Sequence, residues 1–568
     1  MGDITHAQEE FYSSVYFTIL NYGFQKYLSN FKDYKFYNET TFINDTERIL
    51  SRMPQNFSGV EQKEKYLIEY LVYDIKDEDG KDINRQRLQK KVNYTKIKEI
   101  MAELFIPKKV KLIFFTHYKM SFTKKLILRY LHDLTTNNQI LNETEIKYEN
   151  INTNKIIFHN IKENENNYIK IIYFIKNENA SLNQLYKDSG YFNYLKYILN
   201  ETNENSLYYI LTHPNDNETD INIKSLFCNF DMVLKNRIKF SIVIGLNHYS
   251  YHYIKEIIEI VYTYMEKIKA HINNMNPNID ERISELLFIN EQNFSFTEDV
   301  HKGEFYKNKA KDLFYRDDKN YFLREVWIPS DLNKNNANIK FYTEQLTMEN
   351  SVVIIGLNND TIKKYDINNT ESDISFIFEN IEKTNFSGMC CSIDDLDRLN
   401  INISNISDIS DISNELIFYK NEFISNYTCE NIHLTKDENN FERKFNLIEY
   451  SDDLIKFYWL KDTNFKLPKV FFVYTFFHPY LRPNSTEPKK KDKIFYHLIL
   501  YIAYIQREID LRISDAMRAG TVFKLGFKEN YIYLDVFAFS DVLEKIINIV
   551  KDIIISINDT KLNESYHI

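Results

Sequence analysis

The residues best spaced for chemistry are the two histidines of His248-Tyr249-Ser250-Tyr251-His252. Two histidines four positions apart share one face of a helix and can both reach one zinc ion. A zinc hydrolase also needs a carboxylate beside them as general base. Tyr249, Ser250 and Tyr251 cannot serve as one. The pair also falls where a strand gives way to a helix that has barely begun. Two ordinary surface or cap-region histidines explain the pattern as simply, so His248 and His252 stand only as secondary metal candidates. Glu256 and Glu259 follow at the spacing of a solvated helix face.

Other chemistry-bearing patterns are thin. The basic run Pro488-Lys489-Lys490-Lys491-Asp492-Lys493 lies between a strand and a helix and reads as a solvated loop. No GxxxxGK[ST], GxGxxG or GxSxG occurs, and only 11 glycines are present. Loops that cradle phosphates with backbone N–H groups therefore have little to be built from. The four cysteines, Cys228, Cys390, Cys391 and Cys429, form no CxxC and read as reduced thiols. Local motifs alone name no catalytic residue.

The elements that would position a site are clearer. The 568 residues suggest three or four domains at about 150 residues each. In the first stretch, Val15–Ile19 alternates as a strand, and Phe24, Tyr27, Leu28 and Phe31 follow at helical spacing. Ile97, Ile100, Met101 and Leu104 mark a helix, 110–115 a buried strand, and Ser121 the cap of a further amphipathic helix. A second unit begins near Ile156. It has a strand over Tyr168–Ile175 and a mostly helical stretch over Ser181–Leu211, broken near Asn203. A strand over Phe240–Leu246 follows. Ile254, Ile257, Ile258, Val261, Met265 and Ile268 then share one helix face. Helices are expected over 279–290 and 301–314, and a strand over Ser351–Leu357.

Residues 358–418 lose this rhythm. Ile403–Ser413 reads ISNISDISDIS, a period of three that fits neither helix nor strand, and is taken as a low-complexity insertion. A third unit holds a strand over Val470–Phe477 and a long helix over Ile494–Ile513. Thr521–Phe527 and Tyr531–Phe537 should form an antiparallel pair. The last helix, capped by Ser540, turns Val542, Leu543, Ile546, Val550 and Ile553 inward. The order of strands and helices gives an α+β fold of layered sheet and helix.

Charge narrows the partners. Lys and Arg number 71 and Asp and Glu 81, a net −10 that speaks against a nucleic-acid binder. No run of 18 apolar residues occurs and the start lacks a secretory pattern, so a cytoplasmic location without membrane contact is expected. The excess of Asn, Lys, Ile, Tyr and Phe reads as genome bias.

Larger blocks carry a resemblance. Phe457-Tyr-Trp-Leu-Lys-Asp-Thr-Asn-Phe-Lys-Leu-Pro-Lys469 is similar to the opening of the third domain in the insulinase (pitrilysin) family of zinc metallopeptidases. Leu467, Pro468 and Lys469 form its core. Lys420-Asn-Glu-Phe-Ile424 resembles the family's "PxxNxFIP" linker through Asn421 and Phe423, with Phe418 and Ser425 in place of the two prolines. Gly190-Tyr-Phe-Asn-Tyr-Leu195, Asn205-Ser-Leu207, Phe305–Trp327 and Asn350-Ser-Val-Val-Ile-Ile355 resemble parts of the second domain. Asp515-Ala-Met-Arg-Ala-Gly520 resembles an Ala-Gly helix end. Glu201-Thr-Asn-Glu204 stands where the family has a glycine-containing turn.

The resemblance implies tandem insulinase-like domains, each an antiparallel-rich sheet backed by helices, with the first and third incomplete. Residues 1–145 would be the later part of a catalytic-type domain and 146–357 the second domain. Residues 358–450 would be a linker with an insertion, and 451–568 the first half of a third domain. The family's zinc motif is H-x-x-E-H, with a Glu from a later helix as third protein ligand. No H-x-x-E-H occurs in this sequence, which would put the motif upstream of Met1. Glu47 matches the first acidic position of the later helix. The expected zinc ligand falls near Met53-Pro54-Gln55, where no acid stands. The resemblance thus implies an inactive relative that needs no cofactor and acts as a peptide- or protein-binding scaffold. It could act beside a complementary insulinase-like chain. Alternatively the chain is a fragment of a working zinc peptidase, or an interaction protein unrelated to the family.

Overall fold

A computed structural model describes chiefly residues 151–177, 182–203, 206–212, 221–234, 237–247, 250–274, 281–296, 339–364, 390–401, 421–428, 468–477, 499–528 and 531–556. Short pieces at 64, 67–68, 72, 119–121, 124–125, 382–383, 446–449 and 456–459 are also described. The expected elements over Val15–Phe31, 97–104, 110–115 and 301–314 lie outside these residues, as does the ISNISDISDIS segment.

The chain divides into two compact units. The first comprises Met1–Thr153, Lys302–Tyr315 and Asn380–Ile393. Within it Glu64, Leu67, Ile68 and Val72 are buried, and the Asn152 N–H donates to the Val72 carbonyl at 2.9 Å. Met120 and Ser121 are already helical, so Ser121 lies inside its helix rather than capping it. A two-residue ladder joins Glu382–Lys383 to Cys390 and Cys391, in a stretch expected to be irregular.

The second unit is built on a mixed sheet. Its strands are β1 (Lys155–Ile161), β2 (Tyr168–Lys176), β3 (Ile223–Leu234), β4 (Arg237–Leu246) and β5 (Ser351–Asn358), ordered β3-β4-β2-β5-β1. β1 runs parallel to β5, and β2 runs antiparallel to both β4 and β5. The helices are α1 (Leu182–Leu199), α2 (Leu207–Thr212), α3 (Ile254–Asn274) and α4 (Glu281–Ser295). The helical stretch after Ser181 breaks at 200–203, next to Asn203 as expected. Ile254, Ile257, Ile258, Val261, Met265 and Ile268 are all buried, as their spacing requires. They pack with Ile169, Ile171, Tyr173, Phe240 and Ile242 in one continuous core. Each such side chain contributes roughly 1.5–3 kcal/mol by leaving water. β3 was not expected, because its sequence mixes Ser, Asn and Asp into the apolar alternation and much of it stays exposed at a sheet edge.

A smaller core follows. Counting the short strands β6 (Glu382–Lys383), β7 (Cys390–Asp395), β8 (Asn446–Glu449) and β9 (Lys456–Trp459) in chain order, β10 (Lys469–Phe477), β11 (Val522–Lys528) and β12 (Tyr531–Phe539) form a three-stranded sheet with β12 in the centre. Pairing β11 with β12 sets Leu525 opposite Leu534, the antiparallel pair expected from alternation. The long helix is present over 501–506 and 508–512, but it breaks at Ile513 and resumes as a short helix, Ser514–Arg518. The last helix, Leu543–Ile555, buries Ile546, Val550 and Ile553. It starts behind Val542 and no side chain caps it. Ser540 instead lies 3.1 Å from the Tyr427 hydroxyl. A hairpin pairs Asn446–Glu449 with Lys456–Trp459, the start of the Trp block.

One close approach limits the large sheet. Gly356 stands opposite His159 on β1 and Tyr168 on β2. A Cβ at Gly356 would lie 2.2 Å from Tyr168 Cε1. The Tyr168 hydroxyl is held 2.5 Å from His159 Nε2, so the ring cannot swing aside without losing that contact. Gly356→Ala is expected to lower stability by about 1–3 kcal/mol through overpacking. A chemical-denaturation midpoint that does not move would show that the ring yields freely.

Candidate functional site

The feature that joins the two cores of the second unit is a buried polar seam. α1 ends at Leu199, and its last turn hands over to Glu201 and Thr202. The Thr202 hydroxyl donates to the carbonyls of Asp510 at 3.4 Å and Leu511 at 3.2 Å and pairs with the Ser514 hydroxyl. Arg518 comes from the other side. It pairs with Asp515 one turn earlier, donates to the Tyr197 carbonyl at 2.8 Å, and lies over the Tyr197 ring at 4.5 Å. Its Nη1 lies 3.3 Å from Glu201 Oε1. Gly520 completes the turn with φ 97°, where a Cβ would meet Asn293 Oδ1 at 2.7 Å.

α4 adds a second ion pair. Arg282 and Glu285, at i and i+3, pair at 2.5 Å with both side chains nearly sealed from solvent. Glu285 Oε1 accepts from the Asn421 N–H at 3.2 Å, and Asn421 Nδ2 donates to the Asp515 carbonyl at 2.9 Å. Two turns further along α4, Gln292 donates to the carbonyls of Ser425 and Tyr427 at 2.7 and 2.8 Å. The segment 421–427 is thereby sewn to α4 by its backbone. Ser425 Oγ and the Asn426 N–H then reach Asp541 at 3.1 and 2.8 Å, tying it to the last helix.

Burial sets the charge states. The Glu201 carboxyl is pushed above the usual carboxylate range by desolvation, which outweighs the opposing pull of Arg518. Burial disfavours the Arg518 cation, but Asp515 and Glu201 more than offset this and hold it charged. The Asp510 carboxyl is likewise pushed up by burial. The Tyr197 hydroxyl is raised by burial against Arg518.

The expected site residues fall out as follows. Asn421 and Phe423 are buried in the seam, and the Phe423 N–H is held by Asn421 Oδ1 at 2.9 Å. The Pro468 carbonyl accepts from the Ser540 N–H at 3.0 Å. Lys469 donates to the Phe296 carbonyl at 3.2 Å and sits 5.1 Å above the rings of Phe537 and Phe539. The structure therefore gathers Asn421, Phe423, Pro468 and Lys469 around one junction. His252 is exposed in the 3₁₀ turn Ser250–Tyr253, its ring centroid 4.1 Å from that of Tyr251 and tilted by 38°. Glu47, His248 and Leu467 lie outside the described residues. Among the described residues, no three His, Cys, Asp or Glu side chains converge where a metal ion could sit. Nor is any described helix long and apolar enough to cross a membrane. Cys228 is a buried free thiol, and Cys391 is buried as well.

Glu201, Arg282, Glu285 and Arg518 escaped sequence reasoning. Charged pairs at i, i+3 are usual on solvated faces. The usable signal was the Asp515–Gly520 block, which already contained Arg518.

Glu201, Arg282 and Glu285 of the seam are buried. The open surface lies on the three-stranded sheet. On its outer face Phe471 is 63% and Val473 46% exposed, with Val522 48% exposed on β11. Register sets Phe471 and Val522 on either side of Phe537. On the inner face a cavity of about 150 Å³ is lined by Phe472, Tyr474, Val536, Val550, Ile554 and Ile555, among others. This is too small for a typical small-molecule ligand and large enough for an apolar side chain.

Removing one member of the seam should be costly. Arg518→Met would leave the buried Glu201 without its nearest cation and the part-buried Asp515 without its partner. A loss of about 3–5 kcal/mol is expected by chemical denaturation. A loss below about 1 kcal/mol would mean that water enters the seam and screens both groups.

No protein-family model and no curated protein matches the sequence. Solved structures do match in fold. Pitrilysin is 13% identical with a TM-score of 0.53, covering 86% of this chain and 46% of pitrilysin. The ferredoxin protease FusC, solved with Arabidopsis ferredoxin, is 9% identical with a TM-score of 0.42, covering 89% of this chain and 52% of FusC. The periplasmic protease PqqL from Escherichia coli is 11% identical with a TM-score of 0.41, covering 92% of this chain and 54% of PqqL. The chain spans about half the length of these proteins. Its architecture is the pitrilysin-like α+β fold.

Proposed function

We propose that this chain is a peptide- or protein-binding scaffold on a pitrilysin-like frame, and that it does not cleave peptides by itself. One observation carries the reading: the three-stranded sheet presents Phe471, Val473 and Val522 to solvent on its outer face, and its edge strand β10 borders a small apolar cavity on the inner face. An extended segment added along the edge of β10 sends alternate side chains to the two faces, so apolar ones can cover Phe471 and Val473 on one side and enter the cavity on the other. The sequence contains no H-x-x-E-H, which supports binding without hydrolysis. The net charge of −10 speaks against a nucleic-acid partner. The buried free thiol at Cys228 fits a reducing compartment, and we place the protein in the cytoplasm.

A second reading is favoured by the length. The chain spans 46% of pitrilysin, so it could be one part of a zinc peptidase whose motif lies upstream or on a complementary insulinase-like chain. The two readings separate in one set of assays. Under the first, a labelled extended peptide rich in Leu and Phe binds the full chain, measured by fluorescence anisotropy. Phe471→Asp with Val473→Asp weakens that binding about ten-fold or more. No cleavage is seen with added zinc. Zinc-stimulated, chelator-sensitive cleavage by the pure chain would sink the scaffold reading.

The secondary metal candidates have their own test. His248→Ala/His252→Ala is expected to leave zinc content, read by elemental analysis, unchanged. Stoichiometric zinc that disappears in this variant would establish the pair as ligands.

A further inference from the structure

The seam holds an uneven charge count. Arg282 and Arg518 face Glu201, Glu285 and Asp515, so two cations meet three carboxylates, of which Glu201 and Glu285 are buried and Asp515 part-exposed. Two of the carboxylates are closely paired: Glu285 with Arg282, and Asp515 with Arg518. Glu201 is different. It is 1% exposed, and Asn203 Nδ2 donates to its Oε2 at 3.1 Å. Its Oε1, 3.3 Å from Arg518, accepts no hydrogen bond. It is the carboxylate with the least to lose by taking up a proton.

We infer that Glu201 is a protonation-controlled latch, and that the seam between the two cores tightens when its carboxyl group becomes neutral. Neutral Glu201 leaves two closed ion pairs and no excess charge. Ionised Glu201 leaves one negative charge in a low-dielectric space, where its cost is greatest.

Several elements bring charged or titratable groups into the seam around Glu201; Arg518 and Arg282 pull toward its ionised form, and burial with Asp515 toward its neutral one. The last turn of α1 brings Tyr197, and α3 brings Tyr264. α4 brings Arg282 and Glu285, and Ser514–Arg518 brings Asp515 and Arg518. Asp510, on the helical run 508–512, lies at the edge of the same seam through the Thr202 contact. The direction in pH follows from burial. Desolvation raises the folded-state affinity of Glu201 for its proton above that of the unfolded chain. The folded state then binds more protons, so stability falls as pH rises through the window between the two affinities. The stabilising neutral form is complete below that window. Asp510, also raised by burial, acts in the same direction.

Hydrogen exchange of the full chain, read by mass spectrometry on peptides covering 196–206 and 510–520, tests the latch. Rates are divided by the intrinsic chemical rate at each pH. In the unaltered protein, exchange in both peptides should slow several-fold from neutral to mildly acidic pH. Glu201→Gln should be slow at both. Asp515→Asn leaves Arg518 to Glu201 alone, so acidification should speed exchange instead. The inference is overturned if the unaltered seam loosens or stays constant on acidification. It is equally overturned if Glu201→Gln speeds exchange at neutral pH or fails to fold.

Discussion

A buried guanidinium organises the second unit. Arg518 cannot lose its proton at any pH a protein meets, so its charge must be answered by the fold. Asp515 answers it from the same helical turn, the Tyr197 carbonyl and ring from the end of α1, and Glu201 from the residues after it. Each contact constrains where α1 may end and where the chain must turn at Gly520. The turn is as tight as the contacts require. Gly520 has φ 97°, and a side chain there would strike Asn293 on α4.

Two cores that met through apolar side chains could slide by a residue at little cost. These two meet through directional groups. Asn421 touches Glu285 with its N–H and the Asp515 carbonyl with its side chain, so it measures the separation of two elements at once. Gln292 does the same for the carbonyls of Ser425 and Tyr427. Lys469 extends the arrangement to β10 by donating to the Phe296 carbonyl just past α4. The three-stranded sheet is thus held in register with α4 by hydrogen bonds that lose most of their value when displaced by an ångström. Buried ion pairs stabilise little in net terms, so geometric definition is the larger effect here.

Much of this frame was legible in the sequence, for a physical reason. α3 and the last helix are long, with apolar residues at strict helical spacing, and burial follows spacing directly. β2, β4, β5 and the β11–β12 pair were equally legible, since apolar runs and alternation each have one cheap solution in a sheet. β3 was hidden because an edge strand exposes one side and tolerates polar residues there. The cap of the last helix was misplaced because Ser540 has another partner in Tyr427, which lies more than a hundred residues away in the chain. The seam was hidden for a related reason. Arg282 and Glu285 have the spacing of a surface pair, and only the arrival of 421–427 makes them interior. Asn421, Phe423, Pro468 and Lys469 were singled out through resemblance, and they all gather at the junction. Their types alone, an amide, a ring, a proline and an amine, give no hint that they meet.

Composition bears differently on the open face. An excess of Phe and Tyr from genome bias would scatter aromatic residues over strand and loop alike. β10 does not show scatter. Phe472 and Tyr474 turn toward the cavity, while Phe471 and Val473 turn outward, so the strand is apolar on both faces. An exposed apolar strand invites association with other chains and is usually blunted by charge or proline. Within Lys469–Phe477 the one charge is Lys469, and it folds back over Phe537 and Phe539 rather than guarding the middle of the strand. The middle of β10 therefore keeps its apolar character on a strand that the seam holds in place. A rigid, apolar and exposed strand can bind an extended segment without first paying to order itself, because its own conformational entropy is already spent in folding.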